Sequence, residues 1–195
     1  MKKLTIVSAM ALAAVAPHAL AQSSNFQGLS AGVGVNVADT TSEAELPGVS
    51  YKGTDTDSNF SLQVQYNAAL NEAFLLGLGA NVGFGELKGG KLGSAGQIKV
   101  KDTYSLYVAP GFAFNSTWLG YAKLAYLYAN ANSSNGGNVK FDNGYGYGIG
   151  VQAMFTKNWF GQAEYMANQY NNKSSLNETD KLKSAVYSLT AGYKF

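Results

Sequence analysis

The sequence has no cysteine, no arginine and one histidine, His18. Each absence removes a class of chemistry. Without cysteine the fold cannot rest on disulfides, and thiol catalysis is excluded. Without arginine the planar fork that reads phosphates and base edges is missing, which argues against nucleic-acid binding. Charge is scarce as well: 13% of residues are charged, and proline occurs three times, as Pro17, Pro47 and Pro110. Beyond residue 21 no stretch is long and apolar enough for a membrane helix, which needs about 20 such residues.

What is present begins with a targeting pattern over residues 1–21. Lys2 and Lys3 make a basic start, Leu4 to Ala16 an apolar stretch, and Ala19 and Ala21 a small-x-small cleavage site, so a secretory signal removed after Ala21 is expected. Pro17 interrupts the apolar stretch and speaks against a spanning helix. The formal charge of +2 is carried by Lys2 and Lys3, so residues 22–195 are formally neutral. His18 falls within the signal, which leaves the expected mature chain without a Ser–His or Cys–His nucleophile.

Residues 22–195 alternate bulky apolar with small or polar residues at period two, the signature of strands. The bulky positions include Leu29 to Val37, Phe60 to Tyr66, Phe74 to Phe84, Tyr104 to Phe114, Trp118 to Tyr128, Tyr145 to Phe155, Trp159 to Ala167 and Ala185 to Phe195. That predicts eight strands. Short turns near 69–72, 115–117 and 156–158 alternate with polar stretches at about 39–57, 86–101, 130–141 and 171–182, read here as long loops. Short turns on one side and long loops on the other are the pattern of an outer-membrane barrel, with both chain ends on the periplasmic side.

The second face of the strands decides between a soluble and a membrane barrel. It carries Gly32, Gly34, Asn36, Gln63, Gln65, Gly77, Gly79, Asn81, Gly146, Gly148, Gly150, Gln152 and Gln162, with Lys123 and Glu164 as its mid-strand charges. A soluble barrel would show water a charged face, whereas this uncharged one suits a crowded lumen. Trp118, Trp159, Phe114 and Phe155, with Phe74, Tyr193 and Phe195, are placed to form an aromatic girdle at one membrane edge. Phe60, Phe84, Tyr104, Tyr128 and Tyr145 are placed for the other. The fold class expected is therefore all-β: an eight-stranded antiparallel up-and-down transmembrane β-barrel over residues 22–195.

The stretch Gly148 to Tyr165 (GIGVQAMFTKNWFGQAEY), the segment Tyr107 to Phe112 (YVAPGF) and the ending Ser188 to Phe195 (SLTAGYKF) resemble opacity-type and OmpA/OmpX-type small outer-membrane barrels. The resemblance implies that Tyr193 and Phe195 form the terminal signal read by the outer-membrane assembly machinery. It also implies that Lys123 takes the place of the arginine that relatives often carry in the lumen. The partners implied are outer-membrane lipids and lipopolysaccharide, for a chain expected to act as a monomer.

Lys123 and Glu164 each lie five residues past a tryptophan, Trp118 and Trp159, so both are expected at one depth as a lumen ion pair near Gln63, Gln152 and Gln162. The pair serves either as a brace or as a gate, and the brace is favoured because an eight-stranded interior is filled by side chains. The run Gly144, Gly146, Gly148, Gly150 lies inside a strand and not at a strand-to-helix turn, so it makes room in the lumen and does not cradle a phosphate. Asp39, Glu43, Glu45, Asp55 and Asp57 lack the spacing of a calcium loop and read as a solvated acidic segment. Of Lys88, Lys91, Lys99, Lys101, Lys173, Lys181 and Lys183, some are expected either to meet lipopolysaccharide phosphates at the rim or simply to stay solvated. Pro110 predicts a bulge with Gly111. No cofactor or metal is expected. Taken together, these features favour a non-enzymatic surface protein that displays four loops for surface interaction or envelope integrity, with the loop ligand left unidentified. A narrow pore for small solutes, and then a lipid-modifying enzyme, are the alternatives.

Overall fold

The computed structural model describes residues 22–46, 49–85, 87–91, 97–133, 138–171 and 181–195. The signal cleavage positions Ala19 and Ala21, and Lys173, lie outside the described residues. A 3-10 turn, Ser23–Asn25, precedes the strands β1 (Gly28–Leu46), β2 (Val49–Ala69), β3 (Phe74–Phe84), β4 (Leu87–Lys91), β5 (Gln97–Ala113), β6 (Trp118–Ser133), β7 (Asn138–Met154), β8 (Trp159–Asn171) and β9 (Lys181–Lys194).

All pairings are antiparallel, and the sheet closes on itself. β1 pairs with β2 on one side and with β9 on the other, from Ser30↔Lys194 to Glu43↔Lys181. β3 and β4 both lie along β5, so they are two pieces of one stave and the barrel has eight. The break falls at Gly85, whose φ of +122° is a conformation that L side chains rarely adopt.

Alternation then sorts the side chains by face. Val33, Ile149 and Leu189 are 61%, 67% and 70% exposed, with Leu62, Leu106 and Leu124 also pointing outward. An apolar outer wall of this extent calls for a bilayer around it. The expected edge aromatics Phe114, Trp118, Phe155, Trp159, Tyr193 and Phe195 are all exposed at the short-turn end. Three of them meet edge to face in series, Trp159 on Tyr193 at 5.2 Å and Tyr193 on Phe195 at 5.3 Å. Phe114 and Phe155 lie over Gly120 and Gly161, where a Cβ would run into their rings.

The three short turns, residues 70–73, 114–117 and 155–158, share one construction. The first residue of each closes it: Leu70 N–H, Phe114 N–H and Phe155 N–H donate to the carbonyls of Phe74, Trp118 and Trp159, each at 2.9 Å. Inside each turn a side-chain oxygen (Asn71 Oδ1, Asn115 Oδ1 or Thr156 Oγ1) accepts from two backbone N–H groups, those of Ala73 and Phe74, Thr117 and Trp118, or Asn158 and Trp159. This local side-chain capping is why Asn and Thr stand there.

Two expectations are corrected. The polar stretches expected as loops are in good part strand: the β1–β2 hairpin stays paired from Asp39↔Thr56 to Leu46↔Val49, and residues 97–101, 130–133 and 138–141 extend β5, β6 and β7. The backbone ladder does not depend on side-chain polarity, and threonine and valine favour it. Pro110 causes no bulge. The β5–β6 pairing steps from Val108↔Leu124 to Gly111↔Tyr121, three residues on each strand, and simply omits the pairs a proline cannot complete. The register shift on β5 lies between Val100 and Thr103 instead.

Candidate functional site

The lumen is filled in layers, starting at the short-turn end with a plug. Ser23 N–H donates to Glu72 O at 3.0 Å, Ser23 Oγ to Asn71 O at 2.7 Å, and Asn25 Nδ2 to Ser116 O at 3.0 Å, so the N-terminal segment is tied to two turns. These ties direct Phe26, 1% exposed, into an apolar cluster with Leu75, Ala113, Leu119, Met154 and Phe160. The Gly, Gln and Asn face expected for the lumen, with Lys123 and Glu164, thus gives way at this end to an apolar layer.

A polar layer lies above the plug. Asn67 Nδ2 donates to Phe26 O at 2.9 Å, Gln65 Nε2 to Asn67 Oδ1 at 2.7 Å, and Tyr107 OH to Gln65 Oε1 at 2.9 Å. The Tyr107 ring in turn carries Lys123 Nζ 3.8 Å from its centroid. Lys123 Nζ also donates to both Glu164 oxygens at 3.0 Å, with side chains 5% and 8% exposed. The structure thus brings β6 and β8 together through the two charges, across the register of β7 between them.

Glu164 is held from further sides. Tyr121 OH donates to Glu164 Oε2 at 3.0 Å, Gln162 Nε2 donates to Tyr121 OH, and Gln63 Nε2 donates to Gln162 Oε1 at 2.9 Å. Gln152, expected beside the pair, turns instead towards Met154 Sδ at 3.6 Å. Glycines supply the room: a Cβ on Gly79 would collide with the Tyr107 ring, and one on Gly150 with Tyr121.

Above the ion pair lies a partly open cavity of about 100 Å³. Lys123 and Glu164 are in its lining with Asn36, Asn59, Asn168 and Ser188, away from the plug. Asn36 Nδ2 donates to Asn59 Oδ1 at 2.8 Å, while Asn168 Oδ1 is buried with no hydrogen-bond partner. Among the described residues no group of His, Cys, Asp and Glu could hold a metal ion. Asp39 Oδ1, from the acidic segment, accepts from Thr56 Oγ1 at 2.7 Å.

Phe26, Tyr107 and Tyr121 were not singled out by the sequence as lumen residues. Tyr107 and Tyr121 fall between the outward positions Leu106 and Val108, and Gly120 and Ala122, so parity would have placed them inside. Phe26 precedes the first strand and has no such signal.

A family model described as "Outer membrane protein beta-barrel domain" matches residues 5–195. Comparison with curated protein sequences gives no match. Among solved structures, the chain is similar to the outer membrane protein AlkL in lipid bilayers, with TM-score 0.55, 12% identity, and 87% of this chain and 90% of that chain covered. Neisserial surface protein A gives TM-score 0.50 and 19% identity, over 87% of this chain and 100% of that one. The Ail attachment invasion locus protein of Yersinia pestis gives TM-score 0.48 and 21% identity, over 87% and 99%. At these identities the likeness is one of fold.

Proposed function

The chain belongs to the outer membrane β-barrel domain family, and on that footing we propose that it is a non-enzymatic surface protein whose barrel anchors a projecting sheet outside the cell. The observation that carries this reading is strand length. β1 and β2 run 19 and 21 residues, about twice the 9–11 that cross a bilayer, so roughly half of that hairpin stands clear of the membrane. The short turns then lie in the periplasm with the N-terminal plug and Phe195, and the long ends face outward. Rigid scaffolds that present exposed segments commonly use them for contact. The ligand of the projecting sheet is a surface component of unassigned identity, and Lys88, Lys91, Lys99 and Lys101, carried by β4 and β5, suit lipopolysaccharide phosphates.

The lumen supports anchoring over passage, because it is blocked twice, by the Phe26 cluster and by the Lys123–Glu164 network. Tyr193 and Phe195 serve assembly in this reading, and the barrel works as a monomer. The test is to replace residues 40–56 by a two-residue turn and measure cell adhesion and detergent sensitivity. Adhesion should fall while the barrel still folds. Unchanged adhesion and unchanged envelope integrity would remove the role of the hairpin, and large stable conductance steps in planar bilayers would favour a pore.

A further inference from the structure

The free end of the plug carries polar groups that the plug does not use. Ser23 N–H and Oγ, Asn25 N–H and Nδ2, and the Phe26 carbonyl are all engaged, with Glu72, Asn71, Gln22, Ser116 and Asn67. Among the described residues Gln22 takes part only through its main-chain carbonyl, which accepts from Asn25 N–H at 3.3 Å. Its side-chain Oε1 is buried with no hydrogen-bond partner, and none of the bonds that hold the plug uses its main-chain nitrogen. An orphaned buried acceptor is a cost that folded proteins seldom leave standing.

Gln22 is also the residue that the expected cut after Ala21 turns into the first of the chain. The cut frees its α-amine, which is largely an ammonium at neutral pH. A charge on a half-buried residue is a second cost. One reaction removes both, and from these observations we propose that Gln22 of the processed chain closes to pyroglutamate. The neutral fraction of the amine attacks Cδ, the N–Cδ bond forms and the Cδ–Nε2 bond breaks. Nε2 leaves as ammonia, taking a proton from the amine, and no oxidant, water or cofactor enters. Ring closure draws Cδ back onto the main-chain nitrogen, so Oε1 leaves the place where it lacks a donor. The carbonyl that Asn25 N–H needs is untouched, and the plug keeps every bond. The product is neutral and offers no amine to an aminopeptidase. This inference rests on the cut after Ala21 and is independent of the projecting sheet.

The test expresses the full chain with its leader in a Gram-negative host and extracts the barrel from outer membranes. Mass spectrometry then reads the intact mass and the N-terminal peptide. A synthetic peptide of residues 22–27 with a free amine goes through the same handling. Most chains should begin at residue 22 and be lighter than the plain sequence by one ammonia, while the peptide stays mostly open. Gln22→Asn, which closes only to a strained smaller ring, should keep its full mass and take an amine-reactive label at residue 22. Chains that begin at Gln22 with the full mass, or a peptide that closes as completely as the protein, would overturn the proposal and leave the cut in place. Chains that begin at another residue would overturn the cut, and the proposal with it.

Discussion

Lys123 and Glu164 are two charges in a space nearly closed to solvent, and each is tolerable only because the other is there. Removing one leaves the other buried and unpaired, at a cost of about 3–5 kcal/mol, whereas removing both together costs far less. Lys123→Met should therefore lower stability by about that amount in urea titrations of the barrel in lipid vesicles, and Lys123→Met with Glu164→Gln should regain at least half of it. Equal losses in the single and double variants would mean that packing, and not charge, matters at this depth. Phe26→Ala empties the centre of the plug and should cost about 3–5 kcal/mol in the same titration. The charges were legible in the sequence because both stand at one offset from a tryptophan on an otherwise uncharged face. The plug was not, since a lone Phe ahead of the first strand carries no period.

The turns and strands show where hydropathy stops being informative. Each short turn depends on one side-chain oxygen that accepts two backbone N–H groups. Asn115→Ala should cost about 1 kcal/mol, and Asn115→Asp, which keeps the acceptor, much less. If both variants unfold at the same urea concentration as the parent, the cap is decorative. Strand number and inward parity were readable over the apolar stretches. The upper halves of β1 and β2 were not, because Thr, Asp and Ser there report contact with water and say nothing about the ladder beneath. Pro110 misled in the opposite sense: its missing donor demands a skipped pair, and a skipped pair does not require an extra residue.

Apart from the apolar plug, the barrel is inverted relative to a water-soluble one, with glutamine and asparagine side chains inside and rows of leucine and valine outside. An ionised side chain on the outer wall near the bilayer midplane should be resisted. Leu106→Lys is expected to cost about 2–4 kcal/mol in vesicles, and Thr56→Lys, on the projecting hairpin, close to nothing. A similar loss at both positions would contradict the placement of the membrane. This inversion was the most legible feature of the sequence, because poverty of charge on one face is visible without knowing any contact.

One feature also orders events in time. The partners of Phe26 come from five different strands, Leu75 of β3, Ala113 of β5, Leu119 of β6, Met154 of β7 and Phe160 of β8. That seat exists only once β3 and β5 to β8 have come side by side, so residues 22–27 settle after those strands pair, and until then they hang open to any protease. The rate at which they become resistant to cleavage is a clock for the assembly of that part of the wall, built into the chain and readable without a label.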